Sequence, residues 1–261
     1  MILFFIEESN NKKILKKIER NDDVIILNCN IDRINKNIMN KINKILSDNC
    51  CTKVILSKEL KYNKALKNSL YSNNISIVNG KKLHKKLLEK LIESTCLKDK
   101  LNAKQSQISI TANYIDNTVI KLIDNLSKQF KLVNIVSNNT CSYNKIKEKL
   151  YNEYGIIITI SNNKKKALLK SNLIINYDFP EELLNKFSIK NNSIIINTED
   201  PIRIRKKIFN GKILNDYNIL LKKNSSIDIE LNREKYRKYD IKDLAEVYIM
   251  QYPEEICNII V

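Results

Sequence analysis

Short β-branched runs alternate with amphipathic stretches along almost the whole chain. The runs "ILFFI", "DVIILN", "KVILS" and "ISIV" fall in the first hundred residues, and "QISIT", "LVNIVS", "IIITIS", "NLIIN" and "SIIIN" follow. Each is short and bounded by polar residues, which predicts strands. Between most of them lie segments of about 10 to 20 residues with helical spacing, such as "KKILKKIER" and "YNKIKEKLYNEY". Several strands are continuously apolar rather than alternating, the pattern of a sheet covered on both faces. Regular strand, helix, strand succession implies parallel sheets with right-handed crossovers, an α/β architecture.

The best boundary falls at residues 97–106, "LKDKLNAKQS", after the charged helical pattern "KKLHKKLLEKLIEST". It divides the chain into residues 1–100 and 101–225, two parallel-sheet units, the second doubly wound. A tail over 226–261 follows, with a helix expected from Ile241 to Met250, begun near Asp240 and packing back on one unit. "SNNKKKALLKS" predicts a helix opened by Lys164, Lys165 and Lys166, against the macrodipole. In "PIRIRKKIF" the alternation of Ile202 and Ile204 with Arg203 and Arg205 predicts an edge strand with a basic solvent face. With three glycines and three prolines in 261 residues, most loops must be built from Asn, Asp and Ser.

Charge changes the picture less than its size suggests. The net charge is +17, but Asn, Lys and Ile, residues of AT-rich codons, are over-used throughout. Lysine in excess of arginine also suits a solvated surface better than bidentate phosphate recognition. No apolar run approaches the roughly 18 residues of a membrane helix. "MILFFIEE" is too short and too acidic for a signal-peptide core, so a cytoplasmic location is expected, with no membrane partner. Cys29, Cys50, Cys51, Cys96, Cys141 and Cys257 make no C-x-x-C pair, and His84 is the only histidine. No metal site is expected from such a set, and a Ser-His-Asp or Cys-His engine has no second line of support. His84 shares a helical face with Leu87, Leu88 and Leu91, which places it at the border of a core. Lys58, after a strand in "ILSKELKYNK", is the nearest candidate for a reactive lysine, and a solvated loop lysine is the plainer reading.

The stretch "QISITANYIDNTVIKLIDNL" reads as a strand, a turn and an amphipathic helix, the opening of a nucleotide-binding fold without its glycines. The second unit, through its order of elements and the stretch "KSNLIINYDFPEE", resembles the nucleotide domain of the shikimate dehydrogenase and glutamyl-tRNA reductase group. It also resembles a Rossmann-like family of low-GC bacteria to which no activity attaches. The resemblance implies two Rossmann-like units, a second one with a degenerate glycine loop, and a cofactor cleft lined by that stretch. Laid on the group's G-x-G-x-x-G, the glycine positions fall on Thr111, Asn113 and Asp116. Thr111 puts a branched Cβ where the turn wants none. Asn113 tolerates a left-handed backbone. Asp116 would set a carboxylate in the first helical turn, where a pyrophosphate is held, at a cost of roughly 4 kcal/mol per unit charge at 4 Å. The group's lysine-and-aspartate pair and its nucleophilic cysteine have no counterpart here.

The carboxyl ends of the second unit's strands are uniformly polar: Ser137-Asn138-Asn139, Ser161-Asn162-Asn163, Asn176-Tyr177-Asp178 and Asn197-Thr198-Glu199-Asp200. In open parallel sheets that edge binds ligands. Equally, Ser and Asn cap the helices that follow. The candidate ligand-binding set is therefore Thr111, Asn113, Asp116, Ser137, Asn138, Ser161, Asn162, Asn176 and Asp178, with no catalytic residues and no cofactor. The expected function is a non-catalytic Rossmann-like module that senses a polar small molecule or engages a protein partner. The alternatives are an NAD(P)-dependent oxidoreductase similar to shikimate dehydrogenase, and a nucleic-acid-binding protein.

Overall fold

The computed structural model describes residues 3–8, 15–19, 24–29, 34–162, 165–221, 236–248 and 256–260. It divides into two compact units, Met1–Leu83 with Ile219–Asn258, and His84–Asn218 with Ile259–Val261. Both are α/β.

The first unit contains β1 (Leu3–Glu8), β2 (Leu15–Glu19), β3 (Val24–Cys29), β4 (Lys53–Leu56) and β5 (Ser76–Val78) in the order β2-β3-β1-β4-β5. β1, β3, β4 and β5 are parallel, and β2 joins the edge antiparallel to β3. One face of the sheet is covered by α1 (Lys36–Asp48) and α2 (Lys64–Ser72), whose Ile42, Leu46, Leu66 and Leu70 pack on Ile6, Leu27, Val54 and Leu56. Each helix opens on an asparagine cap: Asn35 Oδ1 accepts the N–H of Ile38 at 3.0 Å, and Asn63 Oδ1 that of Leu66 at 2.9 Å. Phe5 packs instead against Tyr236 and Tyr239, ring centroids 5.6 and 4.9 Å away, just before the helix Ile241–Tyr248. β12 (Asn218–Leu221) pairs with β13 (Ile256–Ile260).

In the second unit β6 (Gln107–Thr111), β7 (Leu132–Val136), β8 (Thr159–Ser161), β9 (Leu173–Asn176), β10 (Ile194–Asn197) and β11 (Lys212–Leu214) form one parallel sheet. Its order, β11-β10-β9-β6-β7-β8, is that of a Rossmann domain, and reverses between β6 and β9. The connections include α3 (Lys81–Lys86) and α4 (Leu88–Lys98) ahead of β6, then α5 (Asn117–Gln129), α6 (Thr140–Tyr154) and α7 (Glu181–Leu184). β9 and β10 are buried along their whole length, as their unbroken apolar sequences require. The C-terminal helix Ile241–Tyr248 is α8.

Four local expectations are corrected. "KKILKKIER" has helical spacing, yet Leu15–Glu19 is a strand, because five residues of mixed pattern fit either period and the open edge of β3 takes up their main-chain groups. The helix expected over "KKLHKKLLEKLIEST" is two helices broken at Leu87. Lys165 and Lys166 lie in turns rather than a helix, so there is no dipole for them to oppose; Asn163 and Lys164 lie outside the described residues. "PIRIR" is not an edge strand. Side chains take its main-chain groups: Asn215 brackets both the N–H and the carbonyl of Ile202, Glu181 accepts from Arg203, and Asn185 from Arg205. The expected C-terminal helix is found, with Met250 outside the described residues.

Two glycines test the packing. Gly211 has no room for a Cβ, which would lie 2.1 Å from the carbonyl oxygen of Ser193. Gly155 ends α6 at φ 65° with open space around it. Gly211→Ala is expected to cost about 3 kcal/mol or more through overpacking against backbone, and Gly155→Ala about 1 kcal/mol from its left-handed conformation alone. Urea unfolding of the two variants checks the ranking.

A second test uses α8, which turns a carboxylate inward. Asp243 is fully buried and ion-paired with Lys61, which also pairs with Asp240. Burial pushes the Asp243 carboxyl up from 3.8 to about 6, against the pull of Lys61 and Lys242 and with the push of Asp240. The folded state therefore holds this proton more tightly than the unfolded chain. Its contribution is complete below about pH 4 and is lost as pH rises through 6, up to about 3 kcal/mol at 1.36 kcal/mol per unit. Thermal melts from pH 4 to 7 should show that loss in the wild type relative to Asp243→Asn, which stays neutral.

Candidate functional site

The reversal of strand order between β6 and β9 places one turn, Ala112–Asp116, beside another, Tyr177–Pro180, at the carboxyl edge of the second sheet. In a Rossmann domain the N–H groups of the first turn face the ligand. Here they face Asp178. Both of its carboxylate oxygens accept from the N–H of Asn113 at 2.8 Å, and Oδ2 also accepts from the N–H of Tyr114 at 2.7 Å. Burial pushes the Asp178 carboxyl up from its ordinary value, while those two N–H donors and Lys85 pull it back down.

Asp116 closes the other end of the turn. It is not in the first helical turn, as the glycine-motif alignment expects, but is the cap residue of α5. Oδ1 accepts the N–H of Val119 at 2.8 Å, and Oδ2 accepts the hydroxyl of Tyr177 at 2.7 Å. Adjacent residues Tyr177 and Asp178 thus clasp the turn from both ends. Tyr143 of α6 adds a third hold by donating to the carbonyl of Tyr114 at 2.9 Å. Burial, with the nearby carboxylates, raises the hydroxyls of both Tyr143 and Tyr177 beyond any physiological titration.

A lysine completes the cluster. Lys85 lies over the ring of Tyr177, 4.3 Å from its centroid, and pairs with Glu199 at 2.9 Å. Its neighbour His84 is buried and stacks on Tyr217 with centroids 4.4 Å apart, at the core border its helical face predicts. Tyr143, Tyr177, Lys85 and Glu199 escape a search for the glycine motif. Spacing alone carries no signal for them, because they come from helices and strands far apart in the chain.

The polar strand ends bond to one another. Thr111 Oγ1 donates to Asn176 Oδ1 at 2.7 Å, Asn176 Nδ2 to Asn197 Oδ1 at 2.8 Å, Asn197 Nδ2 to Asn215 Oδ1 at 2.9 Å, and Asn215 Nδ2 to the carbonyl of Ile202 at 3.0 Å. Asn176 also takes both the N–H and the carbonyl of Phe179. This ladder crosses β6, β9 and β10 to the loop after β11. Asn138 donates its N–H to Asn113 Oδ1 at 2.9 Å, and Ser137 Oγ accepts from the N–H of Asn139 at 2.9 Å. Ser161 accepts the N–H of Ser137 through its carbonyl at 3.1 Å, and Asn162 is exposed beyond β8. Of the candidate ligand-binding residues, Thr111 and Asn176 meet in the ladder, and Asn113, Asn138 and Asp178 meet at the turn. Asp116 meets Tyr177, Ser137 meets Ser161 across β7 and β8, and Asn162 lies exposed beyond β8.

In the first unit Lys58 is exposed, its ammonium 3.3 Å from the carbonyl of Arg237. Burial pushes the Cys29 thiol up to about 11, which leaves it a poor nucleophile. Among the described residues no group of three or more His, Cys, Asp or Glu is arranged to hold a metal ion, and no helix is long and apolar enough to cross a membrane.

No family model and no curated protein matches the chain. Among solved structures it is similar to D-mandelate dehydrogenase from Rhodotorula graminis, at 9% identity over 95% of this chain and 92% of that one, TM-score 0.41. It is also similar to the 5-ketofructose reductase of Gluconobacter sp. strain CHM43, at 11% identity over 96% and 99%, TM-score 0.38. A chorismate mutase/shikimate 5-dehydrogenase fusion from Clostridium acetobutylicum matches at 11% over 82% and 85%, TM-score 0.29. The strand order given above stands without these likenesses.

Proposed function

We propose that this chain is a non-catalytic Rossmann-like module that senses a ligand or engages a protein partner, and that it does not bind NAD or NADP in the ordinary pose. The observation that carries this reading is the Asp178 carboxylate on the N–H groups of Asn113 and Tyr114. Those donors belong to the turn that elsewhere cradles a pyrophosphate. An entering diphosphate would have to displace one carboxylate and approach a second, Asp116. Each contact at about 4 Å opposes it by roughly 4 kcal/mol at an effective dielectric of 20, more than the 0.3–1 kcal/mol a helix dipole returns. The lysine best placed to offset that repulsion, Lys85, is paired with Glu199.

Calorimetric titration with NAD, NADH, NADP and NADPH is expected to give no binding tighter than about 1 mM, or −4 kcal/mol. Micromolar affinity for any of them would replace this reading with an oxidoreductase that holds its cofactor in an unusual pose. Asp178→Ala, which strips the turn of its acceptor, is expected to lower stability by about 2 kcal/mol in denaturant unfolding.

A further inference from the structure

The first unit carries a different surface, independent of the turn in the second. Its parallel strands run in the order β3-β1-β4-β5, which reverses between β1 and β4. Lys58 follows β4 at this carboxyl edge, where open sheets bind ligands. The segment Tyr236–Asp240 is laid against it: the N–H of Lys58 donates to the carbonyl of Lys238 at 2.9 Å, and its ammonium to that of Arg237 at 3.3 Å. The packing of Tyr236 and Tyr239 on Phe5 fixes the segment there. Three exposed cationic residues, one of them 179 positions from another, are so brought side by side.

An aromatic residue follows four positions after Lys58. Tyr62 is 87% exposed, one residue beyond the Lys61 that Asp240 and Asp243 hold. Lysine is common over the whole chain, and carboxylate-free runs also occur at 81–86 and 203–212; what sets this edge apart is an exposed ring beside its cations. Between Lys53 and Tyr71 the single carboxylate is Glu59, and α2 has none. Arg237, one of six arginines in the chain, is not a product of lysine bias at all.

We propose that this edge of the first unit is a docking surface for single-stranded nucleic acid, with Lys58, Arg237 and Lys238 on its phosphates and a base stacked on Tyr62. Cations in a cluster supply the sequence-independent attraction, and an exposed ring supplies a platform that only an unpaired base can use. A duplex, with its bases already stacked, would gain the first and not the second.

The test uses the full chain and fluorescein-labelled oligo(dT) and oligo(U) of about 15 nucleotides, read by anisotropy across a salt series. Binding is expected at low salt and should weaken linearly on a log–log plot. The triple variant Lys58→Gln/Arg237→Gln/Lys238→Gln should reduce the slope by about two, near 0.7 per lost contact. Tyr62→Ala should weaken binding roughly tenfold with the slope unchanged; so exposed a side chain leaves the fold intact, so this variant stands even if the triple one fails to fold. Lys145→Gln/Lys147→Gln/Lys149→Gln on α6 should change neither. The proposal is overturned by no binding at low salt, by duplex bound as tightly as single strand, or by an equal loss in the α6 variant.

Discussion

A carboxylate at the end of β9 gripping two N–H groups after β6 is the contact on which the second unit's carboxyl edge depends. A strand-to-helix turn with no glycine leaves main-chain donors pointing outward, and buried or half-buried donors need acceptors. In a nucleotide-binding domain the ligand supplies them. Here Asp178 supplies one set and Asp116 another, while the Tyr177 hydroxyl ties Asp116 back to the same loop. Side chains thus accept from Asn113, Tyr114 and Val119 in and after Thr-Ala-Asn-Tyr-Ile-Asp. The same edge is electrically crowded, with Lys85 set among Asp178, Glu199 and the face of Tyr177.

The first unit solves a related problem differently. Its α8 brings acidic groups to the sheet, and each meets a donor: Asp243 meets Lys61, and Glu246 accepts the N–H of Lys82 at 3.1 Å. Burial raises both carboxyls. Pairing a buried charge seldom stabilises more than an apolar side chain would, and its use here fits a requirement for a single docking position. Asp240 and Asp243 are also what remove Lys61 from the neighbouring basic surface.

Much of this fold was legible because several of the nine apolar runs are continuous, and burial on both faces, as in β9 and β10, leaves such sequences no other home. What resisted reading was short or mixed. Leu15–Glu19 satisfies either period, and "PIRIR" alternates like a strand although Asn215, Glu181 and Asn185 occupy its main-chain groups. Capping is a local property, yet Asp116, expected one step inside the helix, is the cap itself, as Asn35 and Asn63 are for α1 and α2. The site was half visible. Asp116 stood out as a charge where a pyrophosphate is held and Asp178 only as part of a polar strand end, and which donors they satisfy depends on the strand order, which periodicity does not encode. Polar clusters at strand ends read as open to ligand or as caps; that they bond to each other across the sheet is a fact of register.

The hydroxyl-and-amide ladder runs one way. From Thr111 through Asn176, Asn197 and Asn215 to the carbonyl of Ile202, each asparagine gives with its amide hydrogen and receives with its amide oxygen in the same sense. Aligned dipoles reinforce one another, so the row, buried at Thr111, Asn176 and Asn197, behaves as a polarised filament with a head and a tail. An aspartate at Asn176 would set two acceptors face to face, and reversing one amide would strand its neighbours on both sides. The row can be kept whole or replaced whole by apolar residues, and three asparagines on different segments are bound to a common fate.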